Sequence, residues 1–138
     1  VYGIVADMRR TNSILWFKIS LEEGKTIHVV TDQFRTPTLA EDLAIGCWLI
    51  TQKQAEGIFN ISGSDFLTPY EMAIKTAHYY GLNEKLIQKA DSSTFQQAAK
   101  RPMRTGFILD KAYRELGYQP RSFDQGIALM AEQVENLG

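Results

Sequence analysis

The sequence predicts a helix-rich α/β fold with few short strands, organised as one segment over residues 1–138. Three observations carry this reading. The apolar residues switch repeatedly between helix-like and strand-like spacing. Helix-start signals recur, with Thr38-x-x-Glu41 and Thr68-x-x-Glu71 both matching the capping-box pattern. A chain of 138 residues supports one modest core rather than two.

Val1 to Val5 reads as a strand running into a turn. Thr11 or Asn12 can cap a helix whose apolar positions are Ile14, Leu15, Phe17, Ile19 and Leu21, with Gly24 as its stop. Thr26 to Val30 is short and β-branched, which predicts a strand ending at Thr31-Asp32-Gln33. The Thr38 capping box then opens a helix that carries Leu39, Leu43, Cys47 and Ile50 down one side. Gly57 to Ile61 predicts a further strand, closed by Ser62-Gly63.

Thr68-Pro69-Tyr70-Glu71 combines a capping box with proline at the first helical position. Its helix runs through Met72, Ala73, Ala77 and Tyr80 to Gly81. Asn83 can cap a short turn through Leu86 and Ile87, and Ser92 to Lys100 is polar without a clear period. Asp110 can cap a helix through Leu116 that Gly117 stops. Ser122-Phe123-Asp124-Gln125 begins the last helix, with Ile127, Met130, Val134 and Leu137 at helical spacing.

Two or three short strands do not readily make an independent covered sheet. The expectation is an α-rich cap on a larger sheet whose other strands lie upstream, in a chain that begins inside a longer protein at Val1. Val1, Ile4, Ile27 and Val29 should then include residues whose native neighbours are missing.

Composition narrows the functional classes. The hydrophobic fraction of 44% and charged fraction of 22% exclude disorder. Fifteen basic against sixteen acidic residues give a net charge of -1, so no global field attracts nucleic acid or an anionic membrane. Cys47, the single cysteine, excludes an intrachain disulfide framework and a cysteine zinc cluster. The apolar runs Ile14 to Phe17 and Gly46 to Ile50 fall far below the ~20 residues a membrane helix needs. No signal-peptide pattern opens the chain.

Catalytic constellations are scarce. His28 and His78 lie far apart without ligand-like spacing and read as structural or solvent-facing. Cys47 falls in the helical stripe and reads as a buried small hydrophobe. The aromatic pairs Trp16-Phe17 and Tyr79-Tyr80 read as core. There is no glycine-rich dinucleotide loop, no Walker loop and no tyrosine with a lysine four residues on. The sequence therefore predicts no catalytic residue, no metal ligand and no cofactor bound by this segment alone.

Two arginine motifs remain. Arg35 lies in a short loop between a strand and a capped helix, and Lys100-Arg101-Pro102-Met103-Arg104 places a cationic cluster beside a proline-fixed turn. An arginine fork binds phosphate oxygens in pairs, and helix N-termini add free amides. The plain alternative is a surface ion pair, with Asp32 or Glu41 as partner for Arg35.

The runs VVTDQFRTPTLAEDLAIG, GIFNISGSDFLTPYEMA and KRPMRTGFILDKAYRELGYQP, in this order, resemble the C-terminal half of extended short-chain dehydrogenases/reductases. Among them the dTDP-4-dehydrorhamnose reductase-like sugar-nucleotide enzymes are the nearest pattern, and the resemblance covers nearly the whole chain. It implies the C-terminal, substrate-binding portion of a Rossmann-like protein whose cofactor-binding half lies upstream. By that resemblance Arg35, followed by Asp42-Leu43-Ala44, meets the substrate diphosphate, and Arg101-Pro102 before Leu109-Asp110-Lys111 supplies a second phosphate contact. Asn12 matches a substrate-contacting asparagine more loosely, and Gln33 and Phe34 would neighbour the base or sugar.

The resemblance implies a reductase acting on a dTDP-4-keto-sugar or related nucleotide-sugar, with NADP or NAD held by the full-length parent, ahead of an epimerase. The missing targeting signals together with a nucleotide-sugar substrate lead to the expectation of a cytoplasmic protein, the balanced charge to that of no nucleic-acid or membrane partner, and a homo-oligomer is left open. A similar pattern occurs in the regulatory beta subunit of methionine adenosyltransferase, so a non-catalytic binding subunit is the alternative. A bare helical interaction module would leave both arginine motifs unexplained.

Overall fold

Local signals set most helix ends. In the computed structural model, which describes residues 1–4, 11–94 and 101–137, Asn12 caps α1 (Ser13–Glu22) by accepting from the Leu15 amide at 3.0 Å. Ile14, Phe17 and Leu21 face inward, while Ile19 and Trp16 face out. Gly24 ends the turn with φ +70°, a left-handed conformation that glycine adopts without strain. β1 (Ile27–Val30) follows, with Ile27 and Val29 buried and His28 exposed.

α2 (Ala40–Gln52) departs from expectation at its start. Leu39 is the N-cap and makes no side-chain cap bond. The Thr38 hydroxyl instead accepts from Gly63 N at 3.0 Å and donates to Thr36 O at 3.2 Å, and Glu41 accepts from the Gln133 side chain. Tertiary partners thus replaced the local capping box. The buried face of α2 is Asp42 and Gly46, not the predicted stripe, and Cys47 is exposed. The reason is Ile61, whose side chain packs so tightly on Gly46 that the helix turns this side inward.

Gly57 to Ile61 carries strand-like residues yet pairs with no strand among the described residues. Ile58 is 87% exposed, whereas Phe59 and Ile61 pack against a small cluster of Ala112, Leu116 and Tyr118. Here side-chain alternation reports burial against a neighbouring layer rather than a ladder.

α3 (Pro69–Tyr80) forms as read. The Thr68 hydroxyl accepts from Glu71 N at 3.2 Å, Glu71 accepts from Thr68 N at 2.7 Å, and Gly81 closes the helix at φ +64°. Asn83 caps a 3-10 turn (Glu84–Leu86). β2 (Ile87–Ala90) follows where a turn was expected, and pairs in parallel with β1 from Ile27↔Ile87 to Val30↔Ala90. Only Ile87 and Ala90 of β2 point inward, so its sequence shows no two-residue alternation.

A second 3-10 turn (Ser92–Thr94) opens the polar tract, of which residues 95–100 lie outside the described residues, as does Val5 of the first predicted strand. Ala112–Leu116 is a π-helical turn rather than an α-helix, stopped by Gly117 at φ +66°. α4 (Phe123–Leu137) starts with a reciprocal exchange: Ser122 Oγ accepts from Gln125 N, and Gln125 Oε1 accepts from Ser122 N.

The main core is built around α3, which packs on α1, on α4 and on both strands of the β1–β2 pair. Phe123, Ile127 and Met130 enter it from α4, and Tyr2 meets Phe123 edge-on at 5.5 Å. Ile27 and Val29 are buried in this core because α1 and α3 cover β1. Val1 is 81% exposed and Ile4 half-buried. The arrangement is the helix-rich α/β class expected. Among the described residues, no helix is long and apolar enough to cross a membrane.

Candidate functional site

The loop after β1 is fixed by main-chain bonds to two distant segments. Phe34 N donates to Met103 O at 2.7 Å, and Thr105 N donates to Phe34 O at 3.0 Å. Arg35 exchanges both main-chain bonds with Leu67, each at 3.0 Å. These bonds hold the Arg35 side chain where the loop, α1 and the 101–107 segment approach one another. Gln33 is buried, and its Oε1 accepts from Arg35 Nη2 at 2.9 Å.

Arg35 and Arg101 line one cleft of about 280 Å³, with Ser13, Trp16, His28 and Gln33 around them. Burial first, and the Arg101 charge second, hold the Arg35 guanidinium below the usual arginine range. Like charges have been brought together in a recess, the reverse of what an ion-pair role would produce. Asp32 is occupied elsewhere, accepting from Ser92 N and Ser92 Oγ, and Glu41 is joined to Gln133. Among the described residues, Arg35 and Arg101 have no carboxylate partner, whereas Arg114 and Arg121 pair with Glu115 and Asp42.

The other sequence-derived residues have local duties as well. Asn12 does not line this cleft: its side chain caps α1 and donates to Gly3 O at 2.8 Å. Phe34 stacks on Phe66 with centroids 5.4 Å apart and planes 17° from parallel. The Arg104 guanidinium carbon lies 4.8 Å from the Phe34 centroid and 4.9 Å from that of Phe66, a cation–π contact with both rings.

Trp16 and His28 escaped the sequence reading as cleft residues. The sequence pattern places Trp16 in the core, yet it is 44% exposed and lies out of phase with Ile14, Phe17 and Leu21. That phase offset was the available signal. His28 projects outward because it alternates with Ile27 and Val29.

Among the described residues, nothing is arranged to hold a nicotinamide cofactor. The left-handed glycines Gly24, Gly81 and Gly117 each follow the end of a helix, and neither they nor Gly57 line the arginine clefts. With no glycine-rich phosphate loop and no Tyr/Lys pair in the sequence, no hydride-transfer step follows from these residues. Among the described residues, no group of three His, Cys, Asp or Glu is placed to hold a metal ion.

Comparison with known proteins adds a lineage to this geometry. The model of the RmlD substrate binding domain family matches residues 2–136. A curated relative, "Probable low-salt glycan biosynthesis reductase Agl14" of Haloferax volcanii, is 24% identical over 115 residues, covering 83% of this chain and 38% of the relative. The crystal structure of dTDP-4-dehydrorhamnose reductase from Bacillus anthracis, in complex with NADP, superposes with a TM-score of 0.82 at 22% identity, over 96% of this chain and 45% of that one. An orthologue of that reductase from Clostridium acetobutylicum gives 0.81 at 20% identity, over 94% and 46%. The chain thus spans less than half the length of the proteins it matches.

Proposed function

Since this chain belongs to the RmlD substrate binding domain family, we propose that it binds a nucleotide-sugar through its diphosphate, held between Arg35 and Arg101. The domain is of the dTDP-4-dehydrorhamnose reductase-like substrate-binding kind. In this reading it is the substrate half of an NAD(P)-dependent reductase acting on a dTDP-4-keto-sugar or related nucleotide-sugar. The cofactor site and the proton donor then belong to the rest of that reductase.

The observation that carries the reading is the cleft shared by two arginines that have, among the described residues, no carboxylate to neutralise them. A diphosphate diester brings two negative charges on adjacent groups. It relieves the Arg35–Arg101 repulsion and gives each fork paired oxygen acceptors. Half-burial of Arg35 strengthens the attraction, because the local dielectric is lower than that of water. Gln33, through its bond to Nη2, sets the guanidinium plane before ligand arrives.

The test is calorimetric titration of the full-length protein with dTDP-glucose. Arg35→Ala and Arg101→Ala should each weaken binding by roughly tenfold to a hundredfold, the loss of one charge-assisted contact. Arg35→Lys should recover only part, because lysine lacks the planar fork. Unchanged titrations in both alanine variants would refute the site.

A further inference from the structure

A second cleft, of about 670 Å³, also has Arg35 in its wall and is bounded by Thr36, Pro102, Arg104, Thr105 and Phe107. Arg35 is common to both clefts, so a ligand whose diphosphate lies at Arg35 and Arg101 extends one of its ends toward Arg104. Arg104 is exposed, and its guanidinium lies over the rings of Phe34 and Phe66. Among the described residues it has no carboxylate partner and no hydrogen-bond acceptor on its guanidinium. The stacked rings restrict where it can sit, and main-chain bonds from Phe34 to Met103 and Thr105 fix the segment that carries it.

Arg35 and Arg101 match the two charges of a diphosphate diester, and Arg104 is a third, pre-positioned cation beside the same ligand. Building on the nucleotide-sugar reading above, we infer that Arg104 is a specificity-determining residue for a third anionic group, a carboxylate carried on the sugar. Thr36 and Thr105 flank it with hydroxyl groups, and the cleft is large enough for a hexose. A purely structural Arg104 would need the ring contacts but would not distinguish a neutral sugar from an acidic one.

The test compares two probes that differ only at the sugar C6 group, dTDP-glucose and dTDP-glucuronate, titrated into the full-length protein. The wild type should favour dTDP-glucuronate by about tenfold, the worth of one charge-assisted contact. Arg104→Gln should bring the affinity ratio near one, and Arg104→Lys should keep part of it. Added salt should shrink the wild-type ratio. Equal affinity of the wild type for both probes, with sensitivity to Arg35→Ala intact, would overturn this inference and leave the diphosphate site standing. A ratio unchanged by Arg104→Gln would overturn it also. Failure of both probes to bind would overturn both readings together.

Discussion

Gly63 offers a perturbation whose size follows from geometry. A Cβ at this position would lie 2.0 Å from Pro37 O and 3.2 Å from Pro37 C. Both are backbone atoms, so no side chain can swing away, and one strand of chain must retreat by about 1 Å. That retreat strains the Gly63 N to Thr38 Oγ1 bond of 3.0 Å and the Tyr2 N to Thr38 O bond of 2.9 Å. Overpacking costs about 1–3 kcal/mol and a weakened buried hydrogen bond about 1 kcal/mol, so Gly63→Ala should lose about 2–4 kcal/mol. Equilibrium unfolding in urea, followed by far-ultraviolet circular dichroism, should show the midpoint fall by roughly 1–2 M. Gly81→Ala is the control: it meets nothing within 4 Å, and its left-handed backbone costs only about 1 kcal/mol. A Gly63→Ala protein within about 0.5 kcal/mol of wild type, a surface-like effect, would refute the close approach of the two segments.

Arg121→Met should destabilise by about 3 kcal/mol, because Asp42 is 2% exposed and would keep only the Arg121 N–H as a partner. The estimate sits at the low end because the arginine side chain is 38% exposed; adding Asp42→Asn should restore part of the loss in the same urea assay. Alkaline unfolding provides another check. Burial, then Asp42, pushes the Tyr118 hydroxyl up to about 12, so the folded state holds its proton more tightly than the unfolded chain does. That stability is complete below about pH 10 and is lost as the pH rises from about 10 toward 12, by about 2–3 kcal/mol. Tyr2 shifts the same way. Tyr118→Phe should flatten the loss measured by urea titration at each pH, and an unaltered slope would contradict the assignment.

What was legible in the sequence depended on how local the cause was. Asn12, Thr68 and Gly81 act within a few residues, and each does what its position implies. Thr38 carried the same signature as Thr68 but found Gly63, 25 residues on, and no pattern within the helix announces that partner. β2 is a strand because β1 lies beside it, with little in Ile87–Ala90 to mark it. Gly57 to Ile61 fails for the converse reason: its residues suit a strand, but Phe59 and Ile61 pack against Ala112, Leu116 and Tyr118 and the segment pairs with no strand among the described residues. At the site, Arg35 and Arg101 were legible as arginines at turns beside helix starts. Their common cleft depends on Trp16 and His28 from other elements. The Arg104 ring contacts depend on Phe66, brought to Phe34 by the Arg35–Leu67 main-chain exchange. Such nonlocal pairings carry no periodic signal.

The most direct test of the shared diphosphate site is a double-mutant cycle. Wild type, Arg35→Ala, Arg101→Ala and the double variant would be titrated with dTDP-glucose in one buffer at one ionic strength. Two guanidinium groups gripping one diphosphate should be coupled, with the double variant departing from the sum of the single effects by more than about 0.5 kcal/mol. Effects that add within that margin, or an affinity that neither substitution moves, would contradict the shared site.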